Sequence, residues 1–207
     1  MSTQSSGLRL APVATRSETA AATRQSLLEA AGALLDAGGP DAVTLREVGA
    51  RTGVSRSAPY RHFADKDTLL TVLATHAVTR LGDTLEGLAN TDAPPERTLR
   101  AALLSLITIG RTRPHLYRLM FTTPTGDPAE AVRAAERAQD LFLGIVGRIT
   151  GPRRARPYGA LILASAHGIT GLDLSGHMDL DKWHTNAEEL VDTLISVLPK
   201  AIRDTRP

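Results

Sequence analysis

Cysteine is absent from the sequence, and aromatic residues make up only 3% of its 207 residues. The first absence excludes disulfides, thiolate nucleophiles and zinc sites that use cysteine. The second leaves Leu, Ile, Val and Ala to build the core, which favours helices because strands draw on aromatic and β-branched residues. No segment shows sustained period-two alternation, so the sequence predicts an all-α fold.

Long apolar runs are missing as well. No segment approaches the ~20 consecutive apolar residues that cross a bilayer, and no apolar stretch near the N-terminus predicts a signal peptide. We therefore expect a cytoplasmic protein that does not bind a membrane. The net charge of +2 is too small to indicate nucleic-acid binding by itself, so such a site requires a local cluster of cations.

Helix-breaking residues divide the chain into three parts. Residues 1–17 lack periodicity and are predicted to be a flexible arm. Residues 18–66, the N-terminal module, and residues 67–207, the body, carry apolar residues at helical spacing. Nine helices are predicted, at about 20–37, 45–52, 56–62, 65–89, 95–112, 114–122, 127–150, 156–171 and 186–203.

The segment from Thr44 to Lys66 has the pattern of a helix-turn-helix. Thr44 and Glu47 form a predicted capping box, and Gly53 suits the turn because glycine tolerates positive φ. Gly49 is small enough to let the two short helices cross closely. Ser55 is predicted to cap the second helix, and Phe63 to fix the end of that helix in the core.

The second short helix is predicted to expose Arg56, Ser57, Tyr60 and Arg61. Arginine can bind guanine O6 and N7 together, and serine can bond several base edges or a phosphate. The segment is net positive, with cations at Arg46, Arg51, Arg56, Arg61 and Lys66 against Glu47 and Asp65. Residue spacing alone leaves two interpretations open, a DNA-binding module and an ordinary pair of surface helices.

The stretch from Thr23 to Leu70 resembles the TetR family of transcription regulators. The resemblance rests on a capped second helix from Thr44, the Gly-Val-Ser turn, a Tyr-x-x-Phe recognition helix that ends at Phe63, and a lysine that opens the fourth helix. All four features occur in the family's order and spacing. The resemblance implies DNA contacts at Thr44, Arg46, Ser55, Arg56, Ser57, Tyr60, Arg61, His62 and Lys66.

Two positions depart from the family pattern. Many members have glycine where this chain has Ser57, so a different operator preference is expected. Many also have leucine where this chain has Pro59. Ala58-Pro59-Tyr60 also resembles a branch with a Trp-His-Gly motif in its C-terminal domain. Ala166-His167-Gly168 stands at the corresponding place, without the tryptophan.

The family resemblance also implies a homodimer in which the last two helices of each chain form a four-helix bundle. Apolar stripes on the predicted helices 156–171 and 186–203 fit this arrangement, although packing within one chain explains the same stripes. The predicted interface residues are Leu161, Ser165, Ile169, Leu190, Leu194 and Leu198.

A small hydrophobic ligand is expected in the body, since a mainly apolar pocket with few polar groups suits such a molecule. The candidate ligand residues are Leu104, Ile107, His115, Tyr117, Met120, Phe121, Phe142 and His167. These side chains also fit an ordinary core.

Catalytic and metal motifs are not found in the sequence. His177, Asp179, Asp181 and His184 crowd one loop without a recognised ligand spacing, so no metal or other cofactor is predicted. The sequence predicts a ligand-inducible repressor that binds a palindromic DNA operator as a homodimer and is not an enzyme. The alternatives are a helical enzyme or small-molecule-binding module, and an architectural protein that binds DNA without sequence preference.

Overall fold

The computed structural model describes residues 15–124, 128–178 and 180–201, with the side chain of residue 180 excepted. These residues form ten α-helices and one 3-10 turn, and no strand occurs among them. Nine of the helices correspond to the nine predicted ones, and the short α9 is additional. The elements are α1 (Arg16–Ala42), α2 (Leu45–Thr52), α3 (Ala58–His62), α4 (Lys66–Ala89), α5 (Pro95–Thr112), α6 (Pro114–Met120), α7 (Ala129–Thr150), the 3-10 turn (Pro152–Arg154), α8 (Ala155–Leu174), α9 (Leu180–Trp183) and α10 (Ala187–Ser196).

The first helix begins earlier than the sequence predicts. Thr15 accepts a hydrogen bond from the Glu18 amide at 3.2 Å, and the Glu18 carboxylate accepts one from the Thr15 amide at 2.6 Å. This capping box starts α1 at Arg16, inside the predicted arm, whose residues 1–14 lie outside the described ranges. At the other end Gly38 and Gly39 leave helical geometry, with φ of −148° and +71°, where the sequence predicts a stop.

The last helix ends earlier than predicted, at Ser196 instead of residue 203. Pro199 explains the difference, because proline has no N–H and disfavours helical geometry in the residue before it. After the helix, the Ala201 amide donates to the carbonyl oxygen of Ile149 at 2.7 Å. The end of the described chain is therefore attached to α7 and does not extend α10.

Two apolar cores share two helices. The N-terminal core contains Leu27, Leu35, Val48, Phe63 and Leu69, among others. The body core is built from residues of α4, α5, α6, α7, α8 and α10 and from Leu198, which follows α10. Helix α4 supplies side chains to both cores, and neighbouring residues of α6 do the same. The predicted division at residue 66 coincides with the start of α4, but packing continues across it.

Membrane-spanning segments were sought among the helices of the described ranges. None combines the length and the apolar character needed to cross a bilayer.

Candidate nucleic-acid interface and body cavities

Helix α2 is held at both ends by local geometry. The Thr44 hydroxyl accepts a hydrogen bond from the Glu47 amide at 3.1 Å, which is one of the two bonds of the predicted capping box. At the other end Gly53 adopts φ +70° and ψ 10° in the left-handed region, which glycine enters without a steric penalty. These two ends fix the length of α2 and the direction in which the chain leaves it.

The crossing of α2 and α3 depends on one glycine and one proline. A Cβ atom placed on Gly49 would lie 2.9 Å from Cγ of Pro59, closer than real side chains approach. Pro59 is itself buried. Phe63, only 2% exposed, closes the core directly after α3. The proline that departs from the family pattern therefore fills the space that Gly49 leaves open.

The second short helix is shorter than the sequence predicts. It begins at Ala58, so Arg56 and Ser57 lie in the turn before it and not on the helix. The reason is Pro59, since a helix that begins at residue 56 needs the amide of residue 59 to donate to Ser55. The Ala58 amide donates to the Ser55 carbonyl oxygen instead, at 2.9 Å.

The prediction that Ser55 caps the second helix is therefore wrong. Ser57 takes the cap position, without a side-chain hydrogen bond to the helix backbone. The hydroxyl groups of Ser55 and Ser57 lie 3.4 Å apart on the exposed surface of the turn. Both are available to a partner outside the chain.

Most predicted DNA-contact residues lie on the exposed surface formed by α2, the turn, α3 and the start of α4. Tyr60 is 59% exposed. His62 and Lys66 are half-buried, and the other predicted contacts are exposed: Thr44, Arg46, Ser55, Arg56, Ser57 and Arg61. Thr44 already uses its hydroxyl group in the cap of α2.

The charges of this surface are unbalanced. Within the described ranges, Arg46, Arg51, Arg56 and Arg61 have no acidic group within 4.0 Å. The ammonium group of Lys66 lies 3.9 Å from Asp41, a distance at the limit of an ion pair. Unpaired cations on one surface are the charge arrangement that nucleic-acid phosphates require.

One nearby carboxylate has a structural role. Asp65 caps α4 by accepting a hydrogen bond from the Thr68 amide at 2.7 Å. Hydrogen bonds from the backbone and side chain of Thr68, and from the Asp67 amide, hold the pKa of Asp65 below its usual value. Asp65 is thus committed to the start of α4 rather than to a neighbouring arginine.

The predicted ligand residues are not all brought together. Met120, Phe121 and Phe142 line a mainly apolar cavity of about 260 Å³ bounded by α4, α5, the end of α6, α7 and α8. Leu104 lies in a different concavity, between α4 and α5. Ile107 is 1% exposed and belongs to the body core, so it is removed from the ligand candidates. Gln139 and Leu163 also line the cavity and were missed.

Tyr117 and His167 form a polar pair beside the cavity. The Tyr117 hydroxyl lies 2.8 Å from Nδ1 of His167, and the two rings stack at 5.5 Å. Phe121 contacts both rings, at 5.1 and 4.5 Å between centroids. Burial raises the pKa of the Tyr117 phenol. His115 is elsewhere, with its ring against Gly39 at the end of α1.

The predicted dimer residues separate into two groups. Leu161 is 54% exposed, and three residues are half-buried: Ser165, Leu190 and Leu194. Ile169 and Leu198 instead pack in the body core of their own chain, so they are removed from the interface candidates.

One exposed apolar residue on the predicted α8 face, Leu172, was not predicted. Leu172 is 48% exposed, and it lies on the same helical face as Leu161, Ala164 and Gly168 at spacings of three, four and four residues. A Cβ atom on Gly168 or Gly171 would meet no atom within 4 Å. Leu172 lies beyond the predicted helix, which stopped at residue 171, whereas α8 continues to Leu174. Its spacing of four residues from Gly168 was the signal in the sequence that could have found it.

Metal ligands are not clustered in the part of the chain that the structure describes, where no three His, Asp or Glu side chains are placed to hold an ion. Of the four residues considered in the sequence, Asp179 lies outside the described ranges.

Two family models match the chain. The description "Bacterial regulatory proteins, tetR family" matches residues 27–73, and "Tetracyclin repressor-like, C-terminal domain" matches residues 99–198. Together they cover more than two thirds of the sequence. No curated protein matches the chain.

Solved structures agree with the family models. A TetR-family transcriptional regulator from Streptomyces coelicolor is 25% identical with a TM-score of 0.63, and the match covers 87% of this chain and 99% of that one. A protein of unknown function from Rhodococcus sp. RHA1 is 27% identical with a TM-score of 0.71, over 85% and 95% of the two chains. The SmeT–triclosan complex, 21% identical with a TM-score of 0.55 over 90% and 99%, shares the fold.

Neither the matches nor the geometry test the Trp-His-Gly branch, which stays a prediction. The helix-turn-helix with its unpaired arginines, the all-helical body and both family models lead to one assignment: the chain belongs to the TetR family of DNA-binding transcriptional regulators.

Proposed function

We propose that the chain is a cytoplasmic homodimeric repressor that reads a palindromic operator with residues 44–66 and releases it when a small apolar ligand binds the body. The observation that carries the proposal is the surface on which Arg46, Arg51, Arg56 and Arg61 have no acidic partner among the described residues. Family membership favours this function over a helical enzyme.

Arg56 and Ser57 are the proposed base readers. They lie in the turn before α3, where a guanidinium can bind guanine O6 and N7 together and a hydroxyl can bond several base edges. The remaining contacts fix the protein on the DNA backbone through phosphate oxygens. We assign this positioning role to Thr44, Arg46, Ser55, Tyr60, Arg61, His62 and Lys66.

Dimerisation through α8 and α10 supplies a second recognition helix, which reads the second half-site of the operator. The exposed face of α8 with Leu161 and Leu172, and the half-buried Leu190 and Leu194 on α10, form the proposed interface. One recognition helix reads few bases, whereas a two-fold dimer reads two half-sites about 34–36 Å apart or a multiple of that distance.

Selection from a random duplex pool with the purified full chain tests the reader. We expect an enriched palindrome, with Arg56→Ala relaxing its sequence and lowering affinity about tenfold or more. Tyr60→Ala is expected to weaken binding similarly on all sequences, since a phosphate contact carries no base information. Arg133→Ala, an exposed arginine of α7, is the matched control and should leave binding unchanged.

Recovery of no sequence would contradict the proposal and favour a small-molecule-binding helical module. Equal affinity for the operator and random duplex at the same salt concentration would instead favour an architectural DNA-binding protein.

The ligand cavity is proposed to be the space lined by Met120, Phe121 and Phe142, which is about 260 Å³. An apolar ligand with one polar group fits these walls, with Gln139 or the neighbouring Tyr117–His167 pair as its hydrogen-bond partner. We expect Phe142→Trp to fill the cavity and abolish ligand binding while operator affinity is retained.

Ligand and operator affinities must be coupled in both directions if the ligand releases the DNA. A screen of apolar compounds by calorimetry, repeated with the operator bound, measures this coupling. The same ligand affinity with and without operator would contradict the inducer role and leave DNA reading unaffected.

A further inference from the structure

A groove lies beside α4 and shares only Leu81 with the lining of the proposed ligand cavity. One section, of about 580 Å³, lies between α4 and α5, and a second, of about 330 Å³, lies between α4 and α1. Arg80, Arg113 and Leu116 line both sections. The two sections therefore meet at these residues and form one groove, the α4 groove, which connects the body with the N-terminal module.

The section between α4 and α5 suits an apolar chain. Its lining includes Leu81 and Leu104. The three hydroxyl groups around it, of Thr84, Ser105 and Thr108, each donate to the carbonyl oxygen four residues earlier in the same helix, at 3.0, 2.8 and 2.7 Å. Because these protons are already used, the section offers little to a polar chain.

The point where the sections meet is cationic. Arg80 is exposed and has no acidic partner within 4.0 Å in the described part of the chain. Arg113 binds Asp36 of α1 through Nε, at 2.9 and 3.1 Å, and through Nη2, at 2.8 Å. Nη1 of Arg113 has no protein partner among the described residues, so it remains available together with Arg80.

The other charged groups of the groove lie on the α1 wall. Asp36 is paired with Arg113, and Glu29 accepts a hydrogen bond from the Gln25 side chain at 2.9 Å. His76 is also in the lining. Burial, followed by the charge of Arg24, holds the pKa of His76 below its usual value. At neutral pH the two arginines are thus the cations of the groove, and an anion is expected at Arg80, away from the α1 carboxylates.

We propose that the α4 groove binds an amphipathic carboxylate: a linear apolar chain lies between α4 and α5, and its carboxylate pairs with Arg80 and Nη1 of Arg113. Guanidinium–carboxylate hydrogen bonds are among the strong ones in proteins, and the apolar section gains from excluding water. The α5 wall runs from Ala101 to Ile109, about 12 Å of helix, which accommodates a linear chain of medium length.

Binding in this groove reaches the N-terminal module through Arg113. Its guanidinium connects the start of α6 to α1 and lies against Gly32, where a Cβ atom would be 3.3 Å from Nη2. A carboxylate at Nη1 shares the charge of this guanidinium with Asp36, which binds Nε and Nη2. Occupation of the groove therefore weakens one contact that holds α1 against the body.

Calorimetry with the full chain and no DNA tests the site, with sodium decanoate below its micelle concentration as the probe. We expect saturable binding of one decanoate per chain and no comparable binding of decyltrimethylammonium, which has the same chain and the opposite charge. Arg80→Gln should weaken decanoate binding about tenfold, the size of effect of losing one charge-assisted contact. Asp36→Asn should strengthen it, because it frees Arg113.

Arg133→Gln is the matched control, since this arginine is exposed on α7 outside the groove, and it should leave decanoate binding unchanged. Equal binding of the cationic probe, absence of saturable binding, or an unchanged affinity in Arg80→Gln would overturn the proposal. Binding lost in Phe142→Trp but kept in Arg80→Gln would place decanoate in the other cavity and also overturn it. No outcome depends on DNA, so operator reading is tested separately.

Discussion

Three arginines of the body and four of the N-terminal module have different surroundings. In the body, Arg111 binds Asp173 and Glu188, Arg100 binds Asp192, and Arg137 binds Asp83 and Glu86. In the N-terminal module the described surface leaves Arg46, Arg51, Arg56 and Arg61 without any such partner.

The contrast shows what each set of charges does. Arg100, Arg111 and Arg137 join helices that are distant in sequence, α5 to α8 and α10 or α4 to α7, so their charge is used within the chain. The module arginines are close in sequence and have no internal use for their charge, which leaves it available to phosphate and base edges.

Leu172→Glu changes the body face that is proposed to join two copies of the chain, and it has the largest expected effect. A carboxylate on the exposed α8 face would be buried without a partner in the proposed dimer, a strongly unfavourable change. We expect a monomer by light scattering and loss of tight operator binding. Val132→Glu, which alters an exposed valine of α7 with 45% exposure, is the control and should stay dimeric. A dimeric Leu172→Glu protein would exclude this face as the interface.

Gly49→Val tests the packing that presents the module arginines. The new side chain must displace Pro59, since even a Cβ atom would lie 2.9 Å from its ring. Overpacking of this kind costs about 1–3 kcal/mol, and operator binding should fall with the helix crossing. Ala50→Val adds the same residue at an exposed position of the same helix. If both variants bind DNA equally well, the crossing is not critical.

Arg61→Ala against Arg137→Ala compares the two kinds of arginine directly. We expect operator affinity to fall several-fold in Arg61→Ala, while its melting temperature stays within a degree or two of the parent. Arg137→Ala should retain operator affinity, because its guanidinium is occupied by Asp83 and Glu86. Fluorescence anisotropy and calorimetry on both proteins check this, and the reverse pattern would refute the comparison.

Arg111→Gln has the smallest expected effect, on acid stability. The hydrogen bond from Arg111 lowers the pKa of Glu188 below its usual value, so the folded state binds this proton less readily than the unfolded chain. The resulting stability is present above the usual carboxylate range, about pH 4, and is lost as the pH falls through the lowered pKa. The side chains are 39% and 38% exposed, so screening keeps the contribution below about 1 kcal/mol.

Urea unfolding of the parent and Arg111→Gln at pH 7 and at about pH 3.5 measures this contribution. The variant should lose less stability on acidification than the parent does. Arg97→Gln, an exposed arginine of the same helix, should behave like the parent. Identical acid sensitivity in all three proteins would remove the role assigned to the Arg111–Glu188 pair.

Local signals in the sequence predicted most of the N-terminal module. Thr44, Gly49 and Gly53 have local chemical signatures, and the structure gives the two glycines the predicted geometry and Thr44 one of the two bonds of its predicted capping box. The start of α3 was predicted two residues too early because Ser55 is a favourable cap residue, whereas the missing N–H of Pro59 prevents a helix that begins at residue 56. The missing N–H of Pro59, rather than the favourable cap residue Ser55, therefore determines where α3 begins.

The body was less predictable because its side-chain roles depend on which helices meet. Ile169 and Leu198 lie on apolar stripes, and a stripe does not indicate whether its partner belongs to the same chain. Arg111 lies 62 and 77 residues from the carboxylates that it binds, so no local pattern connects them. The same limitation applies to Ile107, whose burial depends on the other helices of the body core.

The salt dependence of operator binding tests the central claim most directly. For the parent, log Kd should rise linearly with log salt concentration, and Arg46→Gln and Arg61→Gln, which change two proposed phosphate contacts, should each reduce the slope by about one. Arg100→Gln and Arg137→Gln in the body should leave the slope unchanged. If all four substitutions change the slope equally, or none does, the unpaired arginines of the N-terminal module are not the DNA-binding surface.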